Sequence, residues 1–273
     1  EIKMYEDTPD EKILDVFNEE LFNNSYLGRP ILGTFKSIGS FNSDVLKSFY
    51  SKYFSKRNIK CIVAGAIKEP AKIESLIKTS LGSLNFSSEL VDKTDLSGIG
   101  FQPKELHVEK DLEQMHLSMG FPGISYNNGD RYALTILSTI LGGSMSSRLF
   151  QSVREKEGLA YSIYCSPSFY RDTGSLMIYA GTSIENYIKA VDCIENELHL
   201  LLTKGIDQDE FERSRRQLRG NIIINLEGSA AWANWLGRQF IYNTGLTQIS
   251  EIQDRLNSVD INDIERVAEK IID

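Results

Sequence analysis

The amino-acid sequence predicts an α+β fold in which helices cover a β-sheet. Two observations support this prediction. Short apolar runs typical of strands occur between residues 58 and 182, whereas from residue 185 onward the 3.6-residue period of helices dominates. Strands followed by a series of helices are typical of α+β layers. The chain has 273 residues, 41% of them hydrophobic, which is enough for one large domain or two modest domains, each with a core.

The first part of the chain, residues 1–84, has the pattern of a compact α/β unit. Pro9 interrupts a helical pattern, and Asp10 can cap a second helix that runs to residue 23 or 24. A turn rich in Gly and Pro follows. The pattern then predicts a helix over 43–53, a buried strand over 58–67 and a helix over 70–82. Periodicity lapses over 85–103, which we interpret as a linker between domains.

A second domain is predicted over residues 104–273. Its sheet is expected to have at least four strands, and its remaining elements are helices. The predicted strands are 106–110, 115–121, a strand beginning near 159, and 174–182, and the predicted helices are 130–141, 146–157, 185–203, 207–227, 230–243, 247–257 and 261–272.

Composition limits the functional classes. A formal net charge of -8 argues against a general nucleic-acid surface or a surface for anionic membranes. Cys61, Cys165 and Cys193 are odd in number and lie among apolar residues, which is typical of buried free thiols in a reducing compartment. No apolar run approaches the roughly 18 residues of a membrane span. We therefore expect a cytoplasmic protein without a nucleic-acid or membrane partner.

Two side chains that could bind a ligand lie where a predicted helix is followed by a predicted strand. Gly158 is placed to end the helix, and the period changes to two after it, with Tyr161 and Ile163 on one face. This junction brings Arg154, in the last helical turn, close to Tyr161. A guanidinium and a phenol at one place can hold a carbonyl oxygen. Each residue also has an ordinary explanation, because Arg154 can be a helix-terminal cation and Tyr161 a half-buried strand aromatic.

The segment from Gly142 to Tyr161, GGSMSSRLFQSVREKEGLAY, resembles the second-domain signature of the M16 metallopeptidases, which include pitrilysin, insulinase and mitochondrial processing peptidase. The resemblance extends over nearly the whole chain. It implies two related α/β sandwich-like domains, the first incomplete at its N-terminal side and the second lacking its last strand. It also implies that Arg154 and Tyr161 contact substrate at the zinc site of the first domain.

The zinc site implied by the resemblance is incomplete in this sequence. The His-x-x-Glu-His motif of the family is absent, and His107, His116 and His199 are not paired at helical spacing. The opening segment EIKMYEDTP matches the helix that carries the third zinc ligand of the family, with Glu1 at the ligand position. The resemblance therefore implies Zn²⁺ as the cofactor, with Glu1 as one ligand and both histidines and the base glutamate outside this sequence.

The function implied by the resemblance is that of a bacterial-type zinc endopeptidase that cleaves unfolded peptides or presequences, bound as an added strand. Homo- or heterodimers of M16 subunits are the implied assemblies, and this chain alone would be inactive. One alternative is a noncatalytic M16-like subunit that supplies Arg154 and Tyr161 to a zinc-bearing partner or acts as a scaffold. Another is an α+β binding module without chemistry.

Overall fold

A computed structural model describes residues 1–22, 25–55, 58–82, 96, 99–242 and 245–273. Helices and a small antiparallel sheet confirm the predicted α+β class. The strands are β1 (Met115–Pro122), β2 (Ala160–Phe169) and β3 (Gly174–Thr182). The α-helices are α1 (Ile2–Glu6), α2 (Pro9–Leu21), α3 (Phe35–Gly39), α4 (Ser43–Tyr53), α5 (Pro70–Gly82), α6 (Arg131–Gly142), α7 (Tyr187–Lys204), α8 (Gln208–Asn225), α9 (Ser229–Tyr242), α10 (Ile249–Ser258) and α11 (Ile261–Ile272). Short 3₁₀ helices span Tyr26–Gly28 and Ile184–Asn186, and a π-helix spans Phe150–Lys156.

Contacts within the chain group into two units. The first comprises Glu1–Thr34, Asp95–Asn221 and Gln248–Asp273, and the second comprises Phe35–Thr94 and Ile222–Thr247. The first 34 residues thus group with the sheet. The predicted division into domains 1–84 and 104–273 stays a prediction, and most of the proposed linker, 85–103, lies outside the described residues.

The sheet lies in the first unit, with β3 between β1 and β2 and all pairings antiparallel. Every residue of β3 is buried. Because alternate residues of a strand face opposite sides, Leu176 and Ile178 point to one face, and Met177 and Tyr179 to the other. Phe17 of α2 packs against Met177 and Tyr179. The α2 helix therefore covers the Met177 and Tyr179 face of the sheet, a contact that the sequence did not predict.

The α6 helix packs on β2, on the face of the sheet opposite to α2. Ten of its twelve residues are buried, which matches its strongly apolar sequence. Its close neighbours are β2, α10 and α11. The α11 helix presents Ile264, Val267, Ala268 and Ile271 as one buried stripe, as expected for an amphipathic helix on a core. This side holds the main hydrophobic core.

Two predicted strands did not form. The segments 58–67 and 106–110 are irregular, so in the described part of the chain the sheet has three strands and not four. Val63, Leu106 and Val108 are exposed, and so is Cys61, whose predicted burial was wrong because its segment packs into no sheet among the described residues. A strand gains its backbone hydrogen bonds only from a neighbouring strand, and across the described residues neither segment has one. The apolar pattern of these two segments was therefore not enough to predict a strand.

Most helix boundaries follow the sequence. The predicted helices over 43–53, 70–82 and 261–272 are confirmed. Thr8, and not Asp10, is the N-terminal cap of α2, because Pro9 occupies the first helical position, where its missing N–H costs nothing. The helix ends at Leu21, and the predicted end at residue 23 or 24 lies outside the described residues.

The second unit consists of α3, α4, α5, α9 and the C-terminal end of α8. Leu226 is the one buried hydrophobic residue among those that the structure describes in this unit. Aromatic side chains at the C-terminal end of α4 pair with one another: the rings of Phe49 and Tyr53 are tilted with centroids 4.5 Å apart, and Tyr50 stacks on Phe54, the residue after the helix, with centroids 4.7 Å apart. These rings are exposed, so the unit has little core of its own.

Candidate functional site

The predicted helix-to-strand junction is confirmed, but its helix is a π-helix. The N–H of Glu157 donates to the carbonyl of Ser152 at 3.1 Å, a five-residue step, and the N–H of Leu159 donates to the carbonyl of Val153 at 2.8 Å. Gly158 has a φ of 61°, the left-handed conformation expected of a helix-ending glycine. Short π-helical turns are frequent at functional sites. Here the π-helix carries Arg154, which lies six positions before Ala160, the first residue of β2.

The strand begins with a β-bulge at Tyr161. Ala160 pairs with Thr182 and Ser162 pairs with Gly181, which leaves Tyr161 as the extra residue of β2. The bulge reverses the phase of the strand, so Ala160 and Ile163 are both buried while the Tyr161 side chain is 76% exposed. The predicted placement of Tyr161 and Ile163 on one face was therefore wrong. Bulges often redirect a side chain beside a functional site.

Arg154 and Tyr161 lie side by side, as predicted. The guanidinium carbon of Arg154 is 5.8 Å from the ring centroid of Tyr161 and 4.7 Å from that of Phe150. These distances suit cation–π attraction. The Arg154 Nε is 3.8 Å from a carboxylate oxygen of Glu155, a loose ion pair. Within the described residues, neither the guanidinium nor the Tyr161 hydroxyl makes a hydrogen bond, so both keep their donors for a ligand.

A polar network that the sequence analysis missed lies beside the bulge. The Thr182 hydroxyl donates to the carbonyl of Leu159 at 2.6 Å. The Tyr179 hydroxyl lies 2.8 Å from Nδ1 of His116, and this hydroxyl and the Ser162 Oγ both lie beside Gly181. The sequence shows these polar residues in strands, but only the strand register reveals that they meet.

Burial changes the pKa values of His116 and Tyr179 in this network. Desolvation lowers the pKa of His116 from its ordinary value of 6.5, although the negative charge of Asp10 acts in the opposite direction. Desolvation also raises the pKa of Tyr179, to which Asp10 contributes, and the hydrogen bond from Ser162 opposes the rise. The ring of Tyr164 stacks on Tyr179 with centroids 4.9 Å apart. Near neutral pH the network is therefore uncharged, with His116 as neutral imidazole.

Replacing His116 by asparagine is expected to reduce the acid sensitivity of folding. Because the folded-state pKa of His116 is depressed, the unfolded chain binds more protons between that pKa and 6.5, and stability falls as the pH drops through this window. Urea unfolding at pH 7.5 and pH 5 measures the effect. His107→Asn, which removes an exposed histidine that faces Glu105, is the control. An unchanged pH dependence in His116→Asn would contradict the prediction.

The predicted zinc ligand, Glu1, forms no metal site with the other residues that the structure describes. Glu1 is exposed at the start of α1, and no hydrogen bond or ion pair joins it to Arg154 or Tyr161 in the described structure. His116 is engaged with Tyr179, and His107 pairs with Glu105 at 2.9 Å. Among the described residues, no group of three or more His, Cys, Asp or Glu could hold a metal ion. The described residues by themselves therefore do not fit a zinc ion, and the role of Glu1 stays a prediction.

The fold and the junction define an α+β protein in which the half-buried Arg154 and the exposed Tyr161 lie at the start of β2, a strand with one neighbouring strand among the described residues. The family model described as "Peptidase M16 inactive domain" matches residues 40–218. The chain belongs to the M16 peptidase family, which confirms the resemblance found in the sequence.

Relatives and solved structures agree with this assignment. The chain is 35% identical over 271 residues to "Uncharacterized zinc protease YmxG" of Bacillus subtilis, covering 99% of this chain and 65% of that protein. It is 33% identical to an "Uncharacterized zinc protease" of Rickettsia bellii, with the same coverage. The fold is similar to a peptidase M16 inactive domain from Pseudomonas fluorescens, with a TM-score of 0.81, 20% identity, and 98% of this chain and 63% of that one covered. The chain thus spans less than two thirds of the length of these relatives.

A further fold similarity is to a chain of Complex III2 from Candida albicans, with a TM-score of 0.81 and 16% identity, covering 96% of this chain and 64% of that one. This likeness shows a shared fold. Separately, none of the helices in the described ranges is both long and apolar enough to cross a membrane.

Proposed function

We propose that this chain is the peptide-contacting part of a zinc endopeptidase of the M16 family, which cleaves unfolded peptides or presequences. One observation carries the proposal: the π-helix and the bulge display Arg154 and Tyr161 side by side, with their hydrogen-bond donors free of other described residues. The relatives named zinc proteases support a peptidase. In this proposal the zinc centre depends on residues outside this chain, with Glu1 as its predicted contribution.

The sheet supports binding of the peptide as an added strand. In the order β1-β3-β2, β2 has a described neighbour on one side only, so its other edge offers backbone N–H and C=O groups. Pro167 lies within β2, and proline is tolerated in strands chiefly at edges. An extended peptide gains main-chain hydrogen bonds along such an edge and needs no particular sequence for them. This property suits a protease for unfolded peptides.

At the start of this edge, Arg154 and Tyr161 can hold carbonyl oxygens of the peptide. The guanidinium offers five N–H donors in a fixed plane, and a hydrogen bond from a charged donor is stronger than one between neutral groups. The phenol of Tyr161 adds a donor from the strand side. Two donors on one stretch of backbone orient the peptide and fix its register, which is the contribution of these residues to positioning a bond for cleavage.

A noncatalytic subunit is the second candidate function. It is favoured by the description of the matching family model as an inactive domain and by the lack of a metal-binding group among the described residues. In this case the chain pairs with a zinc-bearing M16 subunit, as a homo- or heterodimer partner, and Arg154 and Tyr161 serve that subunit's substrate. Both candidates require peptide binding by the pair. Hydrolysis and bound zinc in the intact protease support the first, and peptide binding without either supports the second.

Variants of the pair are expected to weaken peptide binding. Arg154→Gln should raise the Kd about tenfold and Tyr161→Phe about fivefold, because each removes hydrogen bonds worth roughly 1 to 1.5 kcal/mol. Fluorescence anisotropy with a labelled, unstructured peptide measures the change. The matched controls are Arg29→Gln and Tyr26→Phe, since Tyr26 is 61% exposed and the Arg29 guanidinium lies 4.5 Å from its ring centroid. If the control variants weaken peptide binding as much as Arg154→Gln and Tyr161→Phe do, the assignment of Arg154 and Tyr161 as peptide contacts is refuted. If no variant changes the Kd, the result favours a binding module without this site.

A further inference from the structure

We infer that Thr182 is a positioning residue, which acts with Tyr179 and Ser162 to hold the bulge that presents Tyr161. This inference rests on the proposed function, because it concerns how the peptide-contacting phenol is kept in place. None of the three contacts the Arg154 guanidinium through a described hydrogen bond or ring contact. Their effect on a ligand would therefore pass through Tyr161.

Thr182 fixes the chain just before the bulge. Its side chain is nearly inaccessible, with the residue 3% exposed, and its hydroxyl donates to the carbonyl of Leu159 at 2.6 Å. The same residue pairs with Ala160 in the strand register. Leu159 lies two residues before Tyr161, where the chain leaves the π-helix. One buried hydroxyl thus ties the exit of the helix to the central strand.

The residue after the bulge, Ser162, is also paired with β3. Ser162 pairs with Gly181 in the strand register, its Oγ and the Tyr179 hydroxyl both lie beside Gly181, and that hydroxyl is 2.8 Å from Nδ1 of His116. Gly181 leaves the room that these hydroxyls occupy. A Cβ at position 181 would lie 2.9 Å from the Ser162 Oγ and 3.3 Å from the Tyr179 Oη.

Tyr161 therefore has a fixed neighbour on each side, while its own side chain stays exposed. A bulged residue is left out of the strand ladder, so its orientation depends on what holds the residues around it. Groups that are already in their binding geometry lose less freedom when a ligand arrives. The network beside β3 is placed to supply this pre-organisation for the phenol beside Arg154.

The test is a double-mutant cycle on peptide binding by the full chain. Thr182→Val removes the hydroxyl at nearly constant shape, and Thr182→Ser keeps it. We expect Thr182→Val to raise the Kd for a labelled, unstructured peptide about fourfold, and Thr182→Ser to keep it within about twofold. In a Tyr161→Phe background, Thr182→Val should cause no additional loss, because the donor that it positions is already gone.

Several results would overturn the inference. An equal loss from Thr182→Val in both backgrounds indicates a general structural effect, and no loss in either shows that the bulge holds without Thr182. If Thr182→Val does not fold, Tyr179→Phe takes its place in the cycle, since it removes the hydroxyl that lies beside Gly181 and 2.8 Å from Nδ1 of His116, and additive losses again refute the inference. If Tyr161→Phe binds as tightly as the wild type, the proposed function and this inference fail together. A loss in Tyr161→Phe without coupling to Thr182 overturns the inference alone.

Discussion

Replacing Arg148 by alanine is expected to lower the free energy of unfolding by about 3 kcal/mol. The Nε and Nη2 atoms of Arg148 each donate to a carboxylate oxygen of Glu210 at 2.8 Å, and Nη2 also donates to the carbonyl of Gly205 at 2.8 Å. The two side chains are only 17% and 13% exposed. Alanine would leave the Glu210 carboxylate buried without its partner, which costs more than the ion pair contributes.

Urea unfolding followed by circular dichroism measures this loss, and Arg266→Ala is the matched control. Arg266 also forms a two-pronged ion pair, with Asp130, but its side chain is 51% exposed. Its removal should cost less than about 1 kcal/mol, because water screens the charges and solvates the carboxylate that remains. Similar losses for the two variants would show that burial does not set the strength of the Arg148 pair. Arg148→Met combined with Glu210→Leu should recover much of the loss, since neither charge then remains.

Replacing Gly142 by alanine is expected to destabilise the fold by about 3 kcal/mol. A Cβ at this position would lie 2.2 Å from the backbone N and 2.8 Å from the Cβ of Cys165. These atoms belong to β2, on which α6 packs, so relief requires the helix and the strand to separate. Such a shift opens the main core, because Cys165 and most of α6 are buried.

Thermal and urea unfolding of Gly142→Ala measure this effect, with Gly129→Ala as the control. A Cβ at Gly129 meets no atom within 4 Å, and the residue directly precedes the cap of α6. We expect Gly129→Ala to change stability by less than about 1 kcal/mol in either direction. Equal stability of the two variants would mean that α6 can move away from β2 without loss, contrary to the packing argument.

The sequence predicted the elements whose signals are local. The amphipathic periods from residue 185 onward correspond to α7 to α11, because each helix closes its hydrogen bonds within its own segment. Gly158 and the change of period after it also predicted the junction at which Arg154 and Tyr161 meet. The two lie seven positions apart in the sequence, so their approach follows from how one helix ends and one strand begins.

Strands were predicted less well, because a strand depends on a partner elsewhere in the chain. Met115–Pro122 and Gly174–Thr182 pair along their whole lengths and agree with the predicted strands. The segments 58–67 and 106–110 have comparable apolar patterns and remain irregular. What separates the two groups is the presence of a neighbouring strand, which an apolar pattern does not report.

By itself, the sequence determined the fold class, the helices of the second half and the closeness of Arg154 to Tyr161. Only the tertiary structure decided how these residues are presented. The bulge at Tyr161 depends on its register with β3, and the hydrogen bond from Thr182 to Leu159 joins residues 23 apart in the chain. Gly142 directly follows the predicted helix 130–141, and only the structure shows that its lack of a side chain lets α6 approach β2. The physical reason is common to these cases: register and close approach are properties of two segments at once, and neither segment encodes them alone.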